Sequence, residues 1–182
     1  MKRTTLITMA GMITGIVLFV AAGVFVRLPI GFAGERIPFE YAILGFFAAL
    51  LGPLPGMGAG FFGMLFMGIF LSDLWWSEVL ATLFMGSIIG LCQRTLSIGD
   101  GGFESRGLVT YAGFTAAASV LCWILMAPAF DTLIYKIEFG ATFLYWLSHG
   151  AAVIIAAVAG GGLLCLAAGM LFVKKPLFKQ GI

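Results

Sequence analysis

The stretch GFFAALLGPLPGMGAGFFGMLFMGIFLSDLWW, from Gly45 to Trp76, decides the fold. An apolar run is followed by a turn carrying Pro53 and Pro55, then by a second apolar run with Gly56, Gly60 and Gly68. No charge interrupts it before Asp73. Hydrocarbon offers unpaired backbone groups nothing to bond, so such a segment reads as two membrane helices joined by a tight turn. Trp75 and Trp76 mark the level at which the second helix leaves the membrane.

The rest of the chain has the same character. It is 62% apolar and only 10% charged, with a mean hydropathy of +1.12, far from a soluble domain in which about a quarter of residues are charged. The expected fold is all-α: a polytopic membrane protein with a single domain over residues 1–182 and a bundle of six transmembrane helices. The spans are expected at about Thr5–Val26, Ile37–Leu51, Leu54–Leu71, Ser77–Cys92, Gly107–Ala127 and Trp146–Val173. Pro128 is expected to stop the fifth span, leaving APAFDTLIYKIEFG as a structured surface loop. RLPIGFAGERIPFE and QRTLSIGDGGFESR read as further loops. The last apolar tract, Ala141 to Val173, is longer than a ~30 Å core requires, so Tyr145 and Trp146 are placed at the interface and the span after them. The basic N-terminus could imitate a signal peptide, but its long apolar run and the multispanning sequence behind it favour a retained first helix.

Basic residues orient the bundle. With the N-terminus inside, Lys2, Arg3, Arg94, Arg106, Lys174, Lys175 and Lys179 are cytoplasmic, and only Arg27, Arg36 and Lys136 are outside. The positive-inside rule therefore puts both termini in the cytoplasm. Glu35, Glu40, Asp73, Glu78, Asp131 and Glu138 then collect at the outer face.

Several chemistries are excluded by pattern. The scattered basic residues form no nucleic-acid-binding run. There is no phosphate-binding glycine loop, no His-Glu-x-x-His pair and no nucleophile elbow, so neither ATP hydrolysis nor another enzymatic activity is expected, and no cofactor or metal. The expected spans hold no Asp, Glu, Lys or Arg in mid-membrane, the usual mark of an ion-coupled transporter. Cys92, Cys122 and Cys165 sit singly in apolar runs and read as small core residues.

The outer face does carry a constellation: Arg27, Glu35, Arg36 and Glu40 in the first loop, Asp73, Trp75, Trp76 and Glu78 in the second, and Asp131, Tyr135, Tyr145, Trp146 and His149 around the third. Flat aromatic walls with a few fixed polar groups suit a planar heteroaromatic ligand. Interfacial tryptophans and solvated loop charges are the plain alternative. His149, the only histidine, is either a ligand contact or a neutral residue satisfied inside the bundle. Gly11 and Gly15, four apart on the first helix, either pack the bundle or dock another membrane subunit.

The opening stretch also carries a resemblance. Phe47–Ala48–Ala49–Leu50–Leu51–Gly52–Pro53, Gly60–Phe61–Phe62–Gly63 and Trp75–Trp76–Ser77 resemble the S components of energy-coupling factor (ECF) transporters, in particular the riboflavin-type branch. The likeness extends through Gly86–Ser87–Ile88–Ile89–Gly90–Leu91 and Ala127–Pro128–Ala129–Phe130–Asp131–Thr132–Leu133–Ile134–Tyr135. It implies a six-helix subunit of a bacterial plasma membrane that captures a vitamin outside. It also implies a complex with a transmembrane T component and two cytoplasmic ATPases, with toppling of the S component in the bilayer to release substrate inside. In this family small residues of the first helix dock the T component, here Gly11 and Gly15. The chain departs from the branch at Met64, where a histidine is typical, at Val24, in the short loop Leu71–Ser72–Asp73–Leu74, and at His149 in place of an asparagine. Riboflavin is the first expected substrate, followed by a thiamine precursor or cobalamin. Arg36, Glu40, Asp73, Trp75, Trp76, Asp131, Tyr135, Tyr145, Trp146 and His149 are the expected substrate contacts. A small membrane enzyme, or a structural subunit without a pocket, are the other classes.

Overall fold

The computed structural model describes residues 3–26, 28–29, 36–96, 98–100 and 103–174. Arg27, Glu35, Lys2, Lys175 and Lys179 lie outside the described residues. Seven helices are described: α1 (Arg3–Phe25), α2 (Glu40–Leu51), α3 (Pro53–Leu71), α4 (Trp76–Gly90), a short α5 (Gln93–Leu96), α6 (Ser105–Tyr135) and α7 (Phe139–Val173). Four of them, α1, α3, α6 and α7, are long and apolar enough to cross a membrane. α2 and α4 are shorter apolar helices.

α2 begins at Glu40, three residues later than expected. A residue before proline avoids the helical region, and Ile37, ahead of Pro38, lies instead in a strand: β1 (Leu28–Pro29) pairs antiparallel with β2 (Arg36–Ile37). The resulting helix has 12 residues, a rise of about 18 Å. It sits at the centre of the bundle against α1, α3, α4 and α7, with Tyr41, Leu44, Ala48 and Ala49 fully enclosed. Because protein rather than lipid surrounds it, its length need not match the bilayer.

The α2–α3 turn is as the dipeptide Gly52–Pro53 requires. Gly52 has φ +99°, a conformation that favours glycine, and Pro53 opens α3, where its missing N–H is no loss. Gln93 covers the turn, donating from Nε2 to Leu50 O at 3.2 Å. α3 then lies along α4 with backbones in contact. A Cβ on Gly56 or Gly60 would strike the carbonyl oxygens of Gly86 and Thr82, and one on Gly90 would meet Pro53 Cα at 2.5 Å.

Two expected loops are in fact structured. Pro128 does not stop the fifth span. Between Val120 and Met126 the helix widens into π-helical turns, and Ala127 N–H bonds back to Cys122 O. The widened register leaves Pro128 in the first turn of a fresh α-helical segment, Ala127–Tyr135, where it has no N–H to lose. APAFDTLIY is therefore helix, and Lys136, at φ 60°, ends it. α7 likewise starts at Phe139 rather than Trp146. It contains a second π-helical stretch, Ala156–Gly160, where the Tyr111 hydroxyl donates to Ala157 O at 2.9 Å. Within QRTLSIGDGGFESR the described residues include α5 and a 3-10 turn (Ile98–Asp100), and Leu96, Ile98 and Phe103 are buried. Cys92, Cys122 and Cys165 are buried and unpaired.

Gly11 and Gly15 face the chain's own α2. A Cβ on Gly11 would lie 2.8 Å from Leu51 Cδ1, and one on Gly15 would lie 3.1 Å from Phe47 Cγ. The surface that α1 turns outward is carried by Leu6, Ile13, Val17 and Phe25 instead.

Candidate functional site

Alternating helix directions bring five helix ends together: the starts of α2, α4 and α7 and the ends of α3 and α6. Between them lies a cavity of about 410 Å³. Five of the expected contacts line it: Arg36, Glu40, Asp73, Tyr145 and His149. A smaller adjoining cavity of about 210 Å³ shares Asp73, Glu78 and Tyr145 and adds Trp75 and Trp146.

The polar wall is built from the loop before α2. Arg36 donates from one guanidinium nitrogen to Gly23 O at 2.6 Å and from the other to Glu40 Oε1 at 3.4 Å. These two contacts tie the loop to α1 and to the start of α2. Glu40 is only 1% exposed. Among the described residues its Oε2 has no hydrogen-bond partner, and neither has the buried Nε2 of His149. Orphaned buried polar atoms are uncommon, and each one calls for an explanation. Both belong to residues that line one cavity, so a small side-chain turn would offer each to a ligand's polar groups.

The aromatic wall is held by rings. Tyr41, enclosed in the core, meets Phe19, Trp123 and His149 edge-on at centroid distances of 5.7, 5.3 and 6.2 Å. His149 lies 4.7 Å from Trp123 and is stacked with Tyr145 at 6.1 Å and 18°. The opposite wall is one face of α3: Met64, Met67, Gly68 and Leu71, spaced i, i+3, i+4 and i+7. Gly68 allows the loop to close over the helix end, since a Cβ there would lie 2.9 Å from Leu74 Cδ1. Ser72, at φ 55°, turns the chain, and Asp73 N–H bonds back to Gly68 O at 2.9 Å.

Asp131 and Tyr135 serve the frame. Asp131 is 1% exposed; its Oδ1 accepts from Trp75 Nε1 at 2.7 Å and Ser77 Oγ at 2.5 Å, and its Oδ2 accepts from Trp146 Nε1 at 2.5 Å. Charge-assisted bonds of this kind are the strong ones, and here they clamp the end of α6 to the starts of α4 and α7. Tyr135 stacks on Trp75 at 4.3 Å and accepts a hydrogen bond from Trp76 N–H at 2.8 Å. Trp76 is 43% exposed and lines neither cavity.

Tyr41 and Met67 are lining residues that the sequence reading did not single out, and Met64 and Leu71 entered it only as departures from the branch, not as contacts. The i, i+3, i+4, i+7 spacing on α3 was the available signal, but in an apolar helix it does not separate a cavity face from a core face. Among the described residues no cluster of His, Cys, Asp and Glu could hold a metal ion. The arrangement can hold and orient a small flat molecule.

Comparison with known proteins agrees with this geometry. The family described as "ECF-type riboflavin transporter, S component" matches residues 2–171. A UPF0397 protein of Lactobacillus gasseri is 36% identical over 124 residues, 67% of this chain and 66% of the relative. One from Streptococcus gordonii is 35% identical over 123 residues, with the same shares. A UPF0397 protein of Staphylococcus aureus is 31% identical over 123 residues, 67% of each chain. The match thus spans about two thirds of these relatives' length. No solved structure matches. The matched family consists of transport subunits, not enzymes. An all-helical bundle whose helix ends enclose a small polar and aromatic cavity, matched along nearly its whole length, belongs to the ECF-type riboflavin transporter S component family.

Proposed function

We propose that this protein is the substrate-capturing S component of an ECF-type importer in a bacterial plasma membrane. It binds a vitamin or related planar heteroaromatic compound in the cavity at the outer end of the bundle. The observation that carries this reading is that two residues lining one cavity, Glu40 and His149, each keep a buried polar atom without a partner among the described residues, Oε2 and Nε2. On this reading α1, α2, α3, α4, α6 and α7 are the six spans, and both termini are cytoplasmic, as the distribution of basic residues favours. Delivery inward requires a transmembrane T component and two ATPases, because the sequence has no phosphate-binding loop with which to use ATP.

Size orders the substrates. A cavity of about 410 Å³ lies near the lower end of small-molecule sites, ~300–1,000 Å³. It suits one fused or linked ring system, a flavin or a thiamine precursor, and disfavours a corrinoid. The test is to purify the protein alone, identify any co-purifying compound by absorbance and mass spectrometry, and measure ATP-dependent uptake after reconstitution with a T component and ATPases. Failure to bind any small molecule, alone or in the complex, removes the capture reading.

A further inference from the structure

The charge on the cavity wall points to the chemistry of the ligand. Three carboxylates line it, Glu40, Asp73 and Glu78, against a single guanidinium, Arg36. Arg36 is already shared between Gly23 O and Glu40 Oε1. It is in the one ion pair found among the described residues, so Asp73 and Glu78 have no basic partner there. Arg27 and Glu35 lie outside the described residues, and their formal charges cancel.

A plain explanation accounts for part of this. Glu40 and Glu78 each sit in the first turn of a helix, α2 and α4, where the helix dipole favours a negative charge. The dipole does not account for a carboxylate oxygen that is buried and without a partner. An N-terminal acid normally spends its oxygens on the free N–H groups of that turn or on water. Glu40 is 1% exposed and lines the cavity, and its buried Oε2 has no protein donor among the described residues. What such an oxygen lacks is a donor, and a small turn of the carboxyl group toward the cavity would present it to one.

We infer that this cavity, taken as the substrate site of the importer proposed above, selects a flat cationic or amine-bearing heteroaromatic ligand, with Glu40 Oε2 as its charge partner. A ring with an exocyclic amine beside a protonated ring nitrogen presents donors to Glu40. The stacked Tyr145 and His149 rings, 6.1 Å apart, offer π-faces to the same cation. Met64 and Met67 supply a polarizable apolar wall. A neutral flavin can offer one ring N–H and its side-chain hydroxyls to these groups, but no charge to offset them, and its two pyrimidine-edge carbonyls meet acceptors.

The test uses the full chain in lipid nanodiscs and calorimetric titration with three probes: thiamine, 2,4-diaminopyrimidine and riboflavin. At least one cationic or amine-bearing probe is expected to bind tenfold or more tightly than riboflavin. Glu40→Gln is expected to weaken that probe by about 10- to 100-fold, the range for a charge-assisted hydrogen bond, and not to weaken riboflavin. Glu78→Gln, which leaves the Arg36–Glu40 contact intact, is the second variant and should weaken the same probe by a smaller factor; it keeps the test decisive if Glu40→Gln does not fold. Tighter binding of riboflavin, or cation affinity changed less than twofold by both variants, overturns the inference while leaving the capture reading standing. No binding of any probe, with no co-purifying compound, overturns both.

Discussion

The two ends of the α3–α4 pair are built on opposite principles. At the end next to the Gly52–Pro53 turn, Gly56, Gly60, Gly86 and Gly90 bring two backbones together so closely that no side chain fits between them. At the far end the same helix carries Met64, Met67 and Leu71, and a cavity of about 410 Å³ opens against α2 and α7. One helix thus changes from zipper to pocket wall within two turns. The difference teaches that glycine here fixes a hinge of contact, and that the pocket exists because the contact stops.

This contrast can be broken by bulk. Gly86→Leu places a side chain on the Gly56 carbonyl and should cost about 3 kcal/mol or more, read as a lower thermal midpoint in detergent together with lost yield. A variant that melts within a degree or two of the wild type would mean that the glycine contact is not a constraint. Next in size is Asp131→Ala, which strands Trp75, Trp146 and Ser77 as unpaired donors and should destabilise by about 2–3 kcal/mol. Shifted tryptophan fluorescence should accompany it. Retained ligand affinity in whatever folds would show that the clamp frames the site without being needed to shape it.

Met64→Trp, only one turn beyond Gly60, should by contrast leave stability within about 1 kcal/mol while filling the cavity and abolishing ligand binding in the same titration. Equal damage to fold and binding would erase the distinction between the two ends. The smallest effect is expected at α1. Gly11→Leu presses on the terminal methyls of Leu51, which can move, so overpacking at this yielding site should cost about 1 kcal/mol. The reading in which Gly11 and Gly15 serve a T component requires this variant to lose uptake while keeping binding. Loss of both together would assign these glycines to packing against α2.

How far the sequence carried this picture depends on the kind of signal. The hairpin around Gly52–Pro53 was legible because a positive φ and a missing N–H are local demands that only those residue types meet cheaply. Arg36, Glu40 and His149 stood out because ionisable groups are rare in so apolar a chain. Pro128 misled: whether a proline ends a helix depends on whether the turn before it can widen, which is a matter of tertiary packing; here Trp123, in the widened turns, packs against Tyr41, Trp146 and His149. Tyr41 and the α3 face were invisible for a different reason. In a membrane bundle, faces toward lipid, core and cavity are all apolar, so periodicity no longer says which is which.

The shortness of α2 has an electrical consequence. A helix rising about 18 Å cannot reach both surfaces of a hydrocarbon core of ~30 Å, so at least one of its ends lies within the core. If, on the proposed topology, that end is Glu40, a ligand carrying a positive charge would descend through part of the membrane voltage to reach it. The full drop is worth about 2.3 kcal/mol per charge at 100 mV, and a third of that depth contributes under ~1 kcal/mol. In an energised cell, capture of such a ligand would be drawn inward by the voltage before any ATP is spent.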